Sequence, residues 1–473
     1  MEAGMDERAK TVVADIAVVG CGHVGLVVAS CFATLGHRVT AIDVDAARVA
    51  SIRSGVSPIY EPGLDALLRQ ALDSGRLEVV EGTPDALRAE FVFLAVGTPP
   101  STGGASDLRA VRDAVTALAP VLRPDAVIVN KSTVPIGTGD LVAQMAKHFG
   151  APGLAVVSNP EFLQEGTAID NFMRPDRVVL GSSDARARER VAALFEPLGA
   201  PMVLTDLRTA EMIKYASNAF LATKVSFVNE MSSICEVVGA DIAEVARGMG
   251  FDERIGRQYL RAGIGWGGSC FPKDVAALEH TASTFGAHPQ LLRHVIEINR
   301  EQRRRVLGKV REALGTLEGR RILVLGAAFK PHTDDIRESP ALEVADLMQL
   351  AGAEVLVHDP HVRQEAVSAA FPSLALADDL LTAAAGADAL VLATEWPEFV
   401  DLPLDDLAAV MRRRLIVDGR NVLDPATVRG AGFAYRCIGR PALEGDPPST
   451  APNWRDAEVD TDTLGVGTPV GRR

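Results

Sequence analysis

Apolar residues near the start of the chain fall in short unbroken runs that stop at glycine or at a polar turn. Asp15-Ile-Ala-Val-Val19 is too short for a helix and ends at Gly20, the pattern of a strand buried on both faces. Residues 23–36 then carry helical spacing, and Arg38-Val-Thr-Ala-Ile42 returns to a strand that ends at Asp43, which completes a strand–helix–strand unit. Phe91-Val-Phe-Leu-Ala-Val96 and Ala126-Val-Ile-Val129 read as further buried strands, followed by the turns Gly97-Thr-Pro-Pro100 and Ser132-Thr-Val-Pro135. This alternation predicts an open, doubly wound α/β sheet.

Helical periodicity takes over through 210–238 and again through 289–314, with hardly a strand signal between 207 and 311. A second α/β unit opens at Arg321-Ile-Leu-Val-Leu-Gly326 and continues with strands at Glu354-Val-Leu-Val-His358, Ala389-Leu-Val-Leu-Ala393 and Leu415-Ile-Val417. The expected organisation is an α/β lobe over 1–206, a helical segment over 207–315 and a second α/β lobe over 316–444. The Pro-, Gly-, Asp- and Thr-rich stretch 445–473 reads as a mobile tail. A length of 473 residues agrees with two or three domains.

Composition narrows the function. Hydrophobic residues make up 47% of the chain and charged residues 23%, and no apolar run approaches the ~18 residues of a membrane span. A soluble protein with no membrane partner is expected. The formal charge of −14 argues against a general nucleic-acid binder, although it permits a local basic pocket. Cys21, Cys31, Cys235, Cys270 and Cys437 are odd in number, widely spaced and free of CxxC, which signals reduced thiols in the cytoplasm. The acidic stretch 1–13 has no apolar core of a secretory signal. His358 and His361 lack further ligands, so no metal site is expected.

Gly20-x-Gly22-x-x-Gly25 lies between a strand and a helix, as the dinucleotide fingerprint requires. Gly20 permits the tight turn, Gly22 the approach of a pyrophosphate, and Gly25 close helix packing. Asp43, at the end of the next strand, can accept from both ribose hydroxyls and would repel a 2′-phosphate, so NAD is expected over NADP. Arg48 is a candidate on the adenosine side, or else a helix-surface arginine. Thr98 and Thr133 stand at later strand ends that border the same crevice. They are either cofactor contacts or ordinary turn residues.

The stretch Gly263-Ile-Gly-Trp-Gly-Gly-Ser-Cys-Phe-Pro-Lys-Asp274 is the most informative, because glycines precede a cysteine that no apolar periodicity claims. Backbone amides crowded around its sulfur, together with Lys273, would lower the thiol pKa and make Cys270 a nucleophile. Lys214 and Asn218 share one helical face and could stabilise an oxyanion, although a solvent-facing lysine beside an incidental asparagine is the simpler reading of the pair. Asn159-Pro-Glu-Phe-Leu-Gln-Glu165 places Glu161 and Glu165 four apart, which is also what an acidic first helical turn looks like.

Together these motifs resemble the UDP-glucose/GDP-mannose dehydrogenase family over residues 12–440. The resemblance rests on the Gly20 loop, Val96-Gly-Thr-Pro99, Lys131-Ser-Thr-Val-Pro135, Asn159-Pro-Glu-Phe-Leu-Gln-Glu-Gly166, Lys214-Tyr-Ala-Ser-Asn218, residues 265–274, Phe329-Lys330 and Arg337-Glu-Ser339, all in order. It implies two Rossmann-like lobes joined by a central α-helical segment. It also implies a four-electron oxidation of a sugar nucleotide at C6 with NAD as cofactor, in which Cys270 forms a thiohemiacetal and then a thioester.

By the same resemblance Lys214 and Asn218 stabilise the oxyanion, Asp274 positions water, and Thr133 and Glu161 surround a water near the reacting carbon. Asp43, Arg48, Thr98, Thr133, Glu165, Lys273 and Arg337 would join the glycines at the cofactor. Substrate contacts would come from Glu161, Phe162, Leu163, Gln164, Glu165, Lys214, Asn218, Tyr259, Leu260, Arg261, Ala262, Gly263, Gly267 and Lys330. Arg254 resembles a position that reaches a neighbouring subunit's substrate, so a homodimer or larger assembly is implied.

His23 and Arg48 depart from the family's usual Tyr and Lys. Gly326-Ala-Ala-Phe-Lys330 lacks the dinucleotide glycines, as expected of a lobe that holds the UDP part of the substrate. UDP-glucose is the expected substrate, with GDP-mannose and UDP-N-acetylmannosamine as alternatives within the family. A two-electron hydroxyacid dehydrogenase would leave Cys270 unexplained. A non-catalytic sugar-nucleotide sensor is disfavoured by chemically competent residues at every position carried over.

Overall fold

The computed structural model describes residues 13–101 and 103–441. The 445–473 stretch, expected to be mobile, and residues 1–12 lie outside them. Two compact units emerge, one comprising residues up to 222 with 268–294 and 330–335, the other 223–267, 295–329 and the chain from 336 onward.

The first unit is built on eight strands: β1 (Asp15–Val19), β2 (Arg38–Asp43), β3 (Leu77–Glu81), β4 (Phe91–Leu94), β5 (Val127–Asn130), β6 (Ala155–Ser158), β7 (Val178–Gly181) and β8 (Met202–Thr205). Their spatial order is β3-β2-β1-β4-β5-β6-β7-β8. Neighbours are parallel except β6 and β7, which meet antiparallel at Ser158 and Gly181. Alternation along β1 sends Ile16 and Val18 into one apolar cluster and Ala17 and Val19 into another, and Phe91/Phe93 and Val92/Leu94 of β4 divide the same way. Burial on both faces is why these strands are uninterrupted apolar runs.

Strand order reverses between β1 and β4, and in such sheets the crevice outside the carboxyl ends at that reversal receives the ligand. Gly20, Thr98, Thr133 and Glu161 follow β1, β4, β5 and β6 respectively, so neighbouring strand ends supply them.

The helix expected over 210–238 runs from Leu207 to Val238, and that expected over 289–314 from Gln290 to Leu314. A third helix, Phe271–Thr284, has Cys270 as its N-cap. Among the described residues no strand lies between 207 and 315, and no helix is long and apolar enough to cross a membrane.

The second unit carries β9 (Arg321–Leu325), β10 (Glu354–His358), β11 (Ala375–Ala377), β12 (Ala389–Leu392), β13 (Leu415–Asp418) and β14 (Ala434–Cys437). They pair in parallel in the order β11-β10-β9-β12-β13-β14, which repeats the reversal of the first sheet. At the end of β10 the Asp359 carboxylate accepts from the amides of Ala327, Ala328, His361 and Val362 and from the Trp396 indole. Gly326 turns with φ +104°, and a Cβ there would lie 2.3 Å from the Thr394 side chain. The loop after β9 is filled by the protein itself.

Candidate active site

In the first unit the loop after β1 has the shape a dinucleotide requires. Gly20 turns with φ +93°, and a Cβ there would lie 2.8 Å from the Ala95 carbonyl; at Gly25 it would lie 1.7 Å from the Gly20 carbonyl. Gly22 faces open space, with nothing within 4 Å of where a Cβ would be. Two glycines are thus needed for close packing, and the third leaves room for a phosphate at the N-terminus of helix His23–Thr34.

Asp43 is buried at the end of β2. Its carboxylate accepts from the Cys21 amide at 2.7 Å and the Asp45 amide at 2.9 Å, and pairs with Arg48 at 3.1 Å. Burial alone would raise its pKa. The two amides and the guanidinium outweigh that and hold it below the usual carboxylate range. Arg48 thus lies on Asp43 itself. Thr98 donates to the Thr133 carbonyl at 2.8 Å, which ties the turns after β4 and β5 together.

The reactive groups gather in the same unit. Lys214 is 3% exposed, so the structure rejects the solvent-facing reading. Its ammonium lies 3.1 Å from Glu161, whose other oxygen accepts from the Leu163 amide at 2.6 Å. Asn218 donates to one oxygen of Asp274 and Lys273 to the other, each at 2.6 Å. Ser269 lies 3.6 Å from the Cys270 sulfur and donates to Glu165 at 2.9 Å, and Glu165 also accepts from Thr333 at 3.0 Å. Phe162 is stacked under the Arg177 guanidinium, 3.5 Å from the ring centroid. Thr133 and Lys214 line one small cavity with Ser158, Pro160 and Glu211.

Charge explains this grouping. Burial favours a neutral Lys214, but the carboxylates around it, Glu161 before Asp274, outweigh it and keep the ammonium charged. Burial likewise opposes a charged Glu161, which Lys214, the Leu163 amide and Lys131 hold ionised. Lys131 opens one of the motifs but was given no role by the sequence; buried, it donates to Asn159 at 3.0 Å, and desolvation brings its pKa down to about 8. Glu211 was also missed: desolvation raises it to about 6 while it accepts from Gly137, Gly139 and Ser158.

Cys270 runs against expectation. Burial raises its thiol pKa above 9.0, Glu161 and Asp274 add to the rise, and the pull of Lys214 does not reverse it. The thiol is therefore neutral near pH 7. Its alkylation by iodoacetamide should still be climbing at pH 9.0, and a plateau near pH 7 would contradict the burial argument.

Three of the preceding glycines are required by packing. In the second unit a Cβ at Gly267 would lie 2.0 Å from the Glu338 carbonyl, at Gly265 2.5 Å from Asn299, and at Gly263 2.9 Å from the Gly419 carbonyl. The segment 259–267 is held there by side-chain amides. Asn229 accepts from Gly263, Asn299 accepts from Trp266 and donates back to it, and Asn421 donates to the Ala262 carbonyl. Leu260 and Ala262 are buried, Arg261 is exposed, and Tyr259 takes φ +63°. Arg254 and Arg337 of this unit are exposed, with Arg254 paired to Asp252. Leu163 and Lys330 of the first unit are partly buried and Gln164 is exposed.

A doubly wound sheet with a fitted dinucleotide loop, and a buried lysine–carboxylate pair beside a cysteine, define an NAD-dependent dehydrogenase. Three domain descriptions of one family match in order: the NAD binding domain over 14–199, the central domain over 208–301 and the UDP binding domain over 323–425. The chain belongs to the UDP-glucose/GDP-mannose dehydrogenase family, and NAD is its cofactor. It is 44% identical to UDP-glucose 6-dehydrogenase TuaD of Bacillus subtilis, covering 92% of this chain and 95% of that one. To UDP-glucose 6-dehydrogenase of Rhizobium meliloti it is 45% identical, covering 90% and 99%. Among solved structures, a UDP-glucose dehydrogenase from Pyrobaculum islandicum superposes with TM-score 0.85 at 40% identity, over 92% of this chain and 99% of that one.

Proposed function

We propose that the enzyme oxidises UDP-glucose to UDP-glucuronate through covalent intermediates on Cys270. The observation that carries the reading is the placement of Cys270 in one unit with the buried Lys214–Glu161 pair and the Asn218–Asp274 pair. The named relatives, UDP-glucose 6-dehydrogenases at 44–45% identity, support this substrate.

Bound NAD, replaced between the two oxidations, supplies two hydride acceptances, one from the C6 alcohol and one from the thiohemiacetal. The residues do the rest. Glu161 and Thr133 hold the water that takes the alcohol proton. The Cys270 sulfur then bonds to the aldehyde carbon while its proton passes to the former carbonyl oxygen. Lys214 and Asn218 stabilise negative charge on that oxygen. In the second oxidation the thiohemiacetal hydroxyl gives its proton to solvent as the hydride leaves, and Asp274 then positions a water that cleaves the thioester, which frees the carboxylate and restores the thiol. A thiol that is neutral at rest suits this sequence, because the proton it carries is the one the thiohemiacetal oxygen needs. Covalent retention keeps the aldehyde from escaping between oxidations.

In this reading residues 1–206 hold the cofactor, 207–315 complete the site and mediate assembly, and 316–444 hold the UDP moiety. Residues 161–165, 259–263, Gly267 and Lys330 contact substrate, while Glu165, Lys273 and Arg337 contact cofactor. Met212, Phe220, Phe227, Ile234 and Val238 are exposed apolar residues at helical spacing along Leu207–Val238, which supports a homodimer. Arg254 would reach the partner's substrate. Five free cysteines support a reducing cytoplasm.

The stoichiometry decides. Purified protein should form two NADH for each UDP-glucose consumed, with uronate identified by mass spectrometry. One NADH with accumulated aldehyde would reject the mechanism. Parallel assays with GDP-mannose and UDP-N-acetylmannosamine test the substrate.

A further inference from the structure

Glu61 lies in the loop between helices Ala46–Arg53 and Leu64–Asp73, outside every motif considered above. Its side chain is 1% exposed, and its carboxylate meets two backbone amides and an imidazole from two other parts of the first unit. One oxygen accepts from the Gly166 amide at 2.7 Å and the other from the Ala168 amide at 2.8 Å. The third group is His23, whose Nε2 lies 3.0 Å from the carboxylate, at ion-pair distance. His23 is the first residue of the helix that follows Gly22, so it stands at the phosphate end of the dinucleotide loop.

We propose that Glu61 is a positioning residue that couples the dinucleotide loop to the segment 161–168, and that its partner His23 serves as a cation at the pyrophosphate subsite. This rests on the reading above only in that 161–165 contacts the sugar nucleotide.

The coupling follows from what the carboxylate holds. Gly166 has φ +84°, and a Cβ there would lie 2.6 Å from the His332 carbonyl, so this end of the segment has little freedom once its amide is bound. Fixing the Gly166 and Ala168 amides fixes the end of a stretch that begins at Glu161, the partner of Lys214. A buried carboxylate with two amides and an imidazolium is satisfied; an amide side chain in its place can accept on one side only and turns its own N–H toward a donor.

The charge on His23 follows from its neighbours. Burial favours the neutral ring, but Glu61, Glu165 and Glu161 face it and together raise its pKa above 6.5. A cation there adds to the helix-terminal amides that receive a phosphate. The sign follows: the cation is present at low pH and lost as pH rises through the raised value, so NAD binding should weaken across that range.

Glu61→Gln and His23→Gln test the two halves. Measurements are KM for each substrate, kcat, NAD affinity by titration between pH 6 and pH 9, and a thermal melt. Glu61→Gln is expected to raise KM for UDP-glucose about ten-fold or more, with weaker NAD binding as His23 loses its partner. His23→Gln keeps a polar side chain beside Glu61 without charge. It should weaken NAD binding several-fold at pH 6 and flatten its pH dependence, with KM for UDP-glucose little changed.

A folded Glu61→Gln protein with both KM values unaltered, or with a lower melting temperature alone, would overturn the coupling. An unchanged NAD pH profile in His23→Gln would overturn the cation, and this arm stands even if Glu61→Gln does not fold. A wild-type protein inactive on UDP-glucose would reject the functional reading instead, leaving the NAD titrations to test His23.

Discussion

Cys270→Ser is expected to abolish uronate formation, lowering turnover on the order of 10⁴-fold or more, because an alkoxyl cannot replace the sulfur in both bond formation and thioester cleavage. Any NADH still formed should not exceed one per sugar, since oxidation of the alcohol precedes the step in which the sulfur bonds to carbon. Product analysis by mass spectrometry reads the outcome directly, with aldehyde or its hydrate in place of uronate. A variant that makes uronate at near the wild-type rate would remove Cys270 from the mechanism, wherever it sits relative to Lys214.

Lys214→Met should have the second largest effect, and on two quantities. The oxyanion loses its cation, for which a loss of about 10²–10³-fold in kcat is typical. Stability falls too, because Glu161 is left as a buried carboxylate whose nearest compensation is the Leu163 amide and Lys131. Breaking a buried pair from one side costs ~3–5 kcal/mol. The pH dependence has a definite sign. Glu161 is held below its ordinary pKa, so its stabilising contribution is present above that ordinary value and is lost as pH falls through the depressed one. Removing Lys214 removes much of the depression, and acid unfolding should begin at higher pH. Adding Glu161→Gln to the variant should recover stability without recovering activity, whereas a double variant no more stable than Lys214→Met would deny the buried-charge account.

The sheet centres were legible in the sequence because strands buried on both faces have nothing to interrupt their apolar runs. β1 and β10 appear with the ends the pattern gave, and β4, β5, β9, β12 and β13 within two residues. The strands the pattern missed lie toward the sheet margins or are short. β3 is broken by charged residues at Glu78 and Glu81, and β8 leaves Val203 and Leu204 exposed. Helix Phe271–Thr284 escaped because Phe-Pro-Lys-Asp at its start hides the periodicity.

Within the candidate site, local chemistry was readable and tertiary chemistry was not. The glycine turn and Asp43 announce themselves by spacing. The burial of Lys214 does not, because its partner Glu161 arrives from the end of β6. Nor does the raised thiol pKa of Cys270, since the dominant cause is desolvation, a property of the folded surroundings. Glu61 has no local signature either; its two amide donors and the His23 ring come from segments far from it in the chain.

The carboxylate of Asp359 bears on redesign. It holds the place in the second sheet that Asp43 holds in the first, yet four amides and an indole already occupy it. Grafting the missing glycines onto the loop after β9 would therefore not create a second nicotinamide-dinucleotide receptor. An engineer would first have to evict Trp396 and remodel the turns after β9 and β10, and would lose the internal bracing of this half of the molecule.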